Sequence, residues 1–170
     1  ALRLRIFQIS GLHKLKGFIM TSILEVIIRR LEERDVISRE FHETYERLRP
    51  LGDIPVQRLR EIYSKIRATA GHYVWVAEFN DELIGIVTLL VEQKFIHGGR
   101  PVGHIEDVVA RVGFSDHMIG RRLIRHAIDQ ARQHNCYKVI LDCAHNLVKY
   151  YRYLVFKEKG EVHLRLDLDP

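Results

Sequence analysis

The chain of 170 residues is poor in cysteine and proline, with two and four of them, and it has no long uninterrupted apolar run. Two cysteines cannot form a disulfide framework, so a reducing compartment is expected. No stretch approaches the ~18 consecutive apolar residues that a membrane-spanning helix requires. These absences argue against a disulfide-stapled scaffold and against a membrane bundle.

What the chain does contain predicts one globular domain with a mildly basic surface. Hydrophobic residues make up 46% of it, charged residues 29%, and the formal net charge is +5. A domain of this length buries roughly 70% of its extended-chain surface, which is enough for a core. The basic residues do not cluster with aromatic residues on one helix face. We therefore expect small phosphorylated ligands, and neither nucleic acid nor a membrane span.

Acidic residues are missing from the first 24 positions, which carry Arg3, Arg5, Lys14 and Lys16. We predict a basic N-terminal extension over residues 1–24 and a catalytic domain over residues 25–170. The extension fits an organelle transit peptide, a divergent appendage or a strand added to a neighbouring sheet. The apolar region and cleavage site of a secretory signal are not found in it. A cytoplasmic protein is the expectation, with organelle targeting left open by the extension.

The spacing of apolar residues predicts an α/β (α+β) fold, a mixed central β-sheet flanked by helices. Strands are expected at 26–30, 72–79, 83–92, 103–110, 137–143 and 161–168. Helices are expected at 35–49, 56–66 and 147–154, and along the apolar stripe from Ile119 to Ala131. A turn built on Asn80 and Asp81 should join the second and third strands.

Two segments have residue types that suit a polar, anionic ligand. Glu106 and Asp107 begin an apolar strand, where adjacent side chains point to opposite faces, so they are not a simple acid–base dyad. They either orient hydroxyl or amine groups of a substrate or form a solvated strand end. The turn at 114–122 leads into a long helix, whose free N–H groups favour phosphate, although Asp116 opposes an anion unless it caps the helix.

The second half of the chain adds further candidates without a nucleophile elbow, a P-loop or a zinc signature. Asp142 ends a predicted strand and Tyr150 and Tyr151 follow on a short helix, as a proton donor or as an aromatic plug. Cys136 and Cys143 lack metal-ligand spacing and are expected to be small buried residues. No metal is expected.

Four blocks carry a resemblance to a known family: Glu92–His97, Gly103–Val109, Asn135–Cys143 and Lys149–Tyr151. Their residues, order and spacing resemble the glucosamine-6-phosphate N-acetyltransferases of the GNAT superfamily of acetyl-CoA-dependent acetyltransferases. The resemblance extends over roughly residues 26–168. It implies a GNAT fold, N-acetylation of glucosamine 6-phosphate on the route to UDP-GlcNAc, and an intertwined homodimer with shared active sites.

The resemblance also assigns roles to individual residues. The catalytic residues would be Tyr151, Asp142 and Glu106. The acetyl-CoA-binding residues would be Val108, Val109, Ala110, Asp116, His117, Met118, Ile119, Gly120, Arg121, Asn146, Tyr151, Arg152 and Tyr153. The sugar-phosphate-binding residues would be Arg49, Lys94, Phe95, Ile96, His97, Glu106, Asp107, Val108, Tyr137, Lys138, Asp142 and Arg165.

The chemistry implied is direct attack of the sugar's 2-amine on the thioester carbonyl, which needs no enzyme nucleophile. Asp142 or Glu106 would position or deprotonate the amine, directly or through water. A backbone N–H near Val109 would stabilise the oxyanion, and Tyr151 would assist departure of the thiolate. Lys138 and Arg165 would make charge-assisted contacts with the phosphate.

The chain departs from the family pattern at several positions. The superfamily's pyrophosphate loop reads Arg/Gln-x-x-Gly-x-Gly/Ala, and here Ser115, Met118 and Gly120 stand at its three defined positions. A shifted loop or weak coenzyme binding follows from Met118. Val155 replaces the glycine before the final phenylalanine, and Arg49 replaces a threonine that contacts the phosphate.

Two questions stay open at this stage. Counting from Asp142 or to Phe156 selects Tyr151 as the residue beside the sulfur, whereas counting from Asn146 selects Tyr150. The alternative functions are a GNAT acetyltransferase with another amine acceptor and a GNAT-fold binding protein that has lost turnover.

Overall fold

A computed structural model describes residues 26–111, 113–114 and 117–168, with only the backbone of His117. The predicted N-terminal extension, residues 1–24, lies outside this part of the chain. The strands are β1 Ile27–Arg30, β2 His72–Phe79, β3 Glu82–Glu92, β4 Val102–Ala110 and β5 Lys138–Ile140. The helices are α1 Glu33–Val36, α2 Arg39–Glu46, α3 Val56–Ala68, α4 Ile96–Gly99, α5 His117–Gln133 and α6 Val148–Arg152, the last preceded by a 3₁₀ turn, His145–Leu147.

One sheet contains the five strands in the order β1-β2-β3-β4-β5. The first three pairings are antiparallel and β4 pairs with β5 in parallel. One face packs on α5 through Ile105, Leu123 and Ile124, and the other packs on α1 to α3 through Val36, Phe41 and Leu59. The predicted mixed α/β sheet is therefore confirmed. Within the described residues, no helix combines the length and apolar character needed to span a bilayer.

The turn predicted between β2 and β3 is a two-residue hairpin. Asn80 and Asp81 both have positive φ angles, 51° and 63°, and Phe79 pairs with Glu82 across the turn. Two consecutive residues in this region match the right-handed twist of the flanking strands. Asparagine and aspartate tolerate it better than other non-glycine residues. The sequence therefore determines this hairpin locally.

Three predicted elements differ from those observed. The helix expected at 35–49 is two helices, because Ser38 caps α2 by accepting a hydrogen bond from the Phe41 amide at 3.1 Å. The strand expected at 137–143 ends at Ile140. The segment 161–168 forms no strand, and its apolar residues Val162, Leu164, Leu166 and Leu168 are each at least 80% exposed. A lone extended segment has no ladder partner in one chain, so alternation alone cannot make it a strand.

Val155, after α6, holds a backbone conformation that suits glycine. Its φ angle is +66° and its side chain is 83% exposed. The left-handed region brings Cβ close to the following carbonyl oxygen, which costs roughly 1–2 kcal/mol for an L residue. The backbone at Val155 thus has a conformation that suits the glycine which the resemblance leads us to expect at this position.

Val155→Gly is expected to raise the free energy of unfolding by about 1 kcal/mol. It removes the left-handed strain, partly offset by the greater freedom of glycine in the unfolded chain. Urea unfolding measures the change. Val162→Gly is the matched control, since Val162 is equally exposed and has a negative φ, and it should not stabilise. A Val155→Gly midpoint at or below that of the wild type would contradict the strain argument.

Candidate active site

The fourth and fifth strands separate partway along their length. Val102, Gly103 and His104 pair with Lys138, Val139 and Ile140, and no further pairs join these strands in the described residues. The other edge of β4 remains paired with β3 as far as Ala110. From Ile105 onward, the β4 backbone groups that point away from β3 therefore have no partner in β5, which leaves a cleft between the two strands; at its far end the Ala110 carbonyl accepts a hydrogen bond from Arg47 at 2.7 Å. Such an edge can hydrogen-bond an extended ligand that carries amides.

A bulge in β4 accompanies this separation. Ile86 pairs with Val109 and Thr88 with Glu106, so β4 has one extra residue between these pairs. Asp107 takes a positive φ of 51° there. A bulge bends its strand and interrupts the alternation of side chains. The expectation that Glu106 and Asp107 lie on opposite faces assumed a regular strand, and the bulge interrupts that regularity at these two residues.

The carboxylates at the bulge interact electrostatically. Burial raises the pKa of Glu106, and the negative charges of Asp107 and Asp142 raise it further. Burial also raises the pKa of Asp107, against the opposing effect of His72. A carboxylate with a raised pKa is a stronger base. The site can therefore take up a proton from an ammonium group.

Asp142 contacts a residue that the sequence reasoning missed. Nδ1 of His163 lies 3.0 Å from Oδ2 of Asp142, and the charge of His163 also acts on Glu106. The sequence did contain a signal for His163: the alternation of 161–168 puts His163 and Arg165 on one side of the segment and the apolar residues on the other. Arg165 was predicted to bind the phosphate, but His163 on the same side of the segment was not considered.

The segment Lys94–His97 lies beside the start of β5, as the resemblance implied. The rings of His97 and Tyr137 are 4.0 Å apart, and Nζ of Lys138 lies 5.7 Å from the Tyr137 ring centre. Lys94 forms an ion pair with Glu92, which also contacts His104 at 2.9 Å. Cationic and aromatic groups therefore meet at this end of the cleft.

Phe95 and Ile96 complete that segment and are exposed, Phe95 fully. Their exposure in a single chain is unusual for large apolar side chains that begin a short helix. In the described residues they have no apolar cover. A sugar ring or a second protein surface would bury them.

The start of α5 is the predicted pyrophosphate site. Ser115 and Asp116 lie outside the described residues, as does the side chain of His117. Met118 is 51% exposed, whereas the side chain of Ile119 is buried in the core, so only the backbone of Ile119 is able to reach a ligand. A Cβ on Gly120 would lie 2.9 Å from the Tyr150 hydroxyl, so glycine gives this hydroxyl room against the helix.

Arg121 adds a feature that points to an anion. Its Nε atom is buried and has no hydrogen-bond partner in the described residues. A buried, unpaired polar group is costly, and phosphate oxygens are the acceptors that a guanidinium prefers. The α5 terminus thus has an unused donor and a favourable dipole, but Met118 stands where a close backbone approach needs glycine.

Tyr150 and Tyr151 occupy different environments. The Tyr150 hydroxyl lies beside Gly120, and Arg121 lowers its pKa against a larger rise from burial. Burial raises the pKa of Tyr151 to about 12, with smaller contributions from Tyr150 and Cys143. Tyr151 therefore keeps its proton at any ordinary pH and remains a hydrogen-bond donor.

The remaining predicted residues are dispersed over one chain. Arg152 pairs with Glu158 at 2.6 Å, and Asn146 and Tyr153 are exposed. Cys143 is exposed and Cys136 only half-buried, so the expectation of two buried cysteines is wrong. The described residues contain no group of three or more His, Cys, Asp or Glu side chains arranged to hold a metal ion.

The two predicted phosphate-binding arginines are both exposed in a single chain. Arg49 lies in the turn after α2, and Arg165 pairs with Asp167 in the C-terminal segment. Their roles stay predictions.

Comparison with known proteins identifies the family to which this chain is similar. The model of the acetyltransferase (GNAT) family matches residues 28–154. The chain is 33% identical over 150 residues to the glucosamine 6-phosphate N-acetyltransferase of Trypanosoma brucei brucei, which covers 88% of this chain and 100% of the relative. It is 36% identical over 136 residues to glucosamine 6-phosphate N-acetyltransferase 1 of Oryza sativa subsp. japonica. That match covers 78% of this chain and 82% of the relative.

A solved structure gives the same result for the fold. The glucosamine-6-phosphate N-acetyltransferase of Arabidopsis thaliana superposes with a TM-score of 0.79 at 26% identity, covering 85% of this chain and 99% of that one. The predicted GNAT fold is therefore confirmed over most of the chain.

Proposed function

The chain belongs to the acetyltransferase (GNAT) family, and from that premise we propose that it transfers the acetyl group of acetyl-CoA to the 2-amine of glucosamine 6-phosphate. Relatives named for this activity match most of the chain at 33% and 36% identity. The observation that carries the proposal is the cleft where β4 leaves β5, with Glu106 and Asp107 at its bulge and Lys94, Tyr137 and Lys138 at its end.

Acetyl-CoA fits the residues of this cleft, apart from Met118. The edge of β4 at Val108, Val109 and Ala110 has no β5 partner and suits the amides of the pantetheine arm, with the Ala110 carbonyl shared with Arg47. The unpaired Nε of Arg121 and the dipole of α5 suit the pyrophosphate. Acetyl-CoA supplies an activated acyl group, and the protein supplies orientation, proton transfer and charge stabilisation.

The reaction requires a neutral amine. The sugar's ammonium group must therefore lose a proton to a base at this acidic cluster, where the pKa of Glu106 is raised. The amine then forms a C–N bond to the thioester carbonyl, while a backbone N–H near Val109 stabilises the negative oxygen. As the C–S bond breaks, the nitrogen loses its second proton and the sulfur takes one up. The products are the amide and the free thiol.

We propose that the active form is a homodimer. The four exposed apolar residues of 161–168 alternate with polar ones, and Phe95 and Ile96, inside the segment Lys94–His97, are exposed as well. A second copy would cover the apolar side of this segment and leave its polar side, with His163 and Arg165, toward an active site. Exposed apolar surface of this extent favours association.

A thiol-release assay with acetyl-CoA and a panel of amines tests the function. Glucosamine 6-phosphate should give far more release than glucosamine, which lacks the phosphate, or than buffer. Equal rates with both sugars would favour the alternative of a different acceptor. A thermal shift with coenzyme A runs beside it, and the lack of any shift at millimolar coenzyme would instead support a binding protein that has lost turnover.

Met118→Gly is expected to tighten coenzyme A binding by about tenfold, which corresponds to ~1.4 kcal/mol. Glycine lets the α5 backbone approach the pyrophosphate and donate a charge-assisted hydrogen bond. Calorimetric titration with coenzyme A measures it. Met118→Leu keeps the bulk and should leave the affinity unchanged. An unchanged affinity in Met118→Gly would mean that the pyrophosphate binds elsewhere.

A further inference from the structure

The contact between His163 and Asp142 has the geometry of an oriented base. Nδ1 of the imidazole lies 3.0 Å from Oδ2 of the carboxylate. An ionised carboxylate only accepts hydrogen bonds, so a neutral imidazole must donate through Nδ1. The lone pair is then on Nε2, which is the arrangement that makes a histidine a proton acceptor.

The surroundings of this pair connect it with the reacting groups. Asp142 acts electrostatically on Glu106, and His163 and His104 act on it with the opposite sign. The charges of Asp142 and His163 are thus felt at Glu106, and both members of the pair are exposed in a single chain. The proposed second copy would reduce that exposure.

The C-terminal segment places a second useful group at a fixed interval. Arg165 follows His163 by two residues, which in an extended chain spans roughly 7 Å on the same side. This interval is comparable to the distance between the 2-amine and the 6-phosphate of a hexosamine phosphate. One segment can thus address both ends of the proposed acceptor.

We propose that His163, oriented by Asp142, accepts the proton of the acceptor's ammonium group. The inference rests on the proposed function and deepens it, since it assigns the proton acceptor that the carboxylates alone leave open. The proton moves from the ammonium nitrogen to Nε2 of His163, while the Nδ1 proton stays with the imidazole. The neutral amine then forms the C–N bond. As the C–S bond breaks, the nitrogen gives its second proton to solvent and the departing thiolate takes one up from solvent, and His163 releases its own proton before the next turnover.

A histidine suits this role better than Asp142. With Nδ1 directed at Asp142, the imidazole presents the acceptor Nε2 to a proton donor. Asp142 is largely exposed and is engaged by the imidazole. Its role is accordingly to hold the ring, as a positioning residue.

Chemical rescue of His163→Ala is the test. We expect kcat to fall by about 100-fold, with the KM for acetyl-CoA unchanged, and added imidazole to restore at least about a tenth of the lost rate. The acetylated sugar must be measured, because free imidazole itself attacks thioesters and releases thiol. His163→Gln fills the site with an amide and should be equally slow but not rescued.

Two further variants separate this role from a structural one. His42→Gln changes a histidine in α2 whose ring contacts Phe41 and not Asp142, and it should match the wild type in kcat and in its response to imidazole. Arg165→Ala should raise the KM for the sugar phosphate without any imidazole response.

The outcomes distinguish the two levels of the argument. Two results would overturn the role of His163 and leave the proposed function intact. In the first, the wild type turns over and the kcat of His163→Ala is within threefold of it. In the second, the kcat of His163→Ala falls and added imidazole does not restore it. No acetylated sugar from the wild type would overturn the proposed function and this inference with it. Unchanged melting temperatures in all variants would exclude misfolding as the cause.

Discussion

Replacing Leu164 and Leu166 together by aspartate is expected to convert the proposed dimer into a monomer and to abolish most of the proposed acetyltransferase activity. Both side chains are more than 80% exposed in one chain and lie on the apolar side of the C-terminal segment. Burying a leucine contributes about 1.5–3 kcal/mol, so a dimer interface loses several kcal/mol when two are replaced by charges. Activity should fall as well, because the same segment carries His163 and Arg165.

Sedimentation equilibrium measures the mass, and the thiol-release assay measures turnover on the same samples. The matched control is Ile37→Asp with Val56→Asp, which introduces two charges at exposed apolar residues outside the segment. The control should remain dimeric and active. A wild-type protein that sediments as a monomer and is fully active would contradict the shared-site proposal.

Tyr151→Phe is expected to lower kcat by about 10- to 100-fold while the melting temperature stays close to that of the wild type. A phenol with a pKa of about 12 is a much weaker acid than a thiol, whose ordinary pKa is ~8.5, so full proton transfer to the departing sulfur is unfavourable. Tyr151 acts instead by donating a hydrogen bond to the developing thiolate. Such a bond to a charged group is worth about 1.5–3 kcal/mol, which gives the stated loss.

The pH dependence follows from the same shift. Deprotonation removes the donor, and because burial raises the pKa of Tyr151 to about 12, its loss begins only when the pH approaches that value. Any decline of kcat between pH 8 and 10 must come from another group and should persist in Tyr151→Phe.

Tyr150→Phe is the matched control for this prediction. Its hydroxyl lies against Gly120 at the start of α5, so its removal should change coenzyme affinity more than kcat. The reverse pattern would show that Tyr150 is the residue beside the sulfur. Equal losses of turnover and stability in Tyr151→Phe would indicate a purely structural aromatic contact.

The parts of the fold that local chemistry determines could be predicted from the sequence. The hairpin follows from Asn80 and Asp81, and the apolar stripe of α5 follows from Ile119 to Ala131, which indeed face the sheet. The break in the helix expected at 35–49 required recognising Ser38 as a cap, since the apolar spacing continues across it. The prediction of a strand at 161–168 was wrong for a single chain. A strand needs a second strand to pair with, and the alternation of apolar and polar residues does not show whether one chain provides it.

Only part of the candidate site could be predicted from the sequence, for a related reason. The segments around Lys94 and Tyr137 lie together as the resemblance implied, because their strands are adjacent in the sheet. The contact between His163 and Asp142 joins the terminal segment to the end of β5 and has no local signature. The cytoplasmic location, the dimer and the absence of nucleic acid and metal stay predictions.

The extra residue in β4 has a consequence for how this protein can change. The register of β4 on β3 shifts at Asp107, and the charge of Asp107 raises the pKa of the neighbouring Glu106. The shape of this strand edge and the proton affinity of Glu106 therefore depend on the same residue. A substitution or deletion at Asp107 would alter both at once, whereas the start of α5 and the C-terminal segment can change independently of each other.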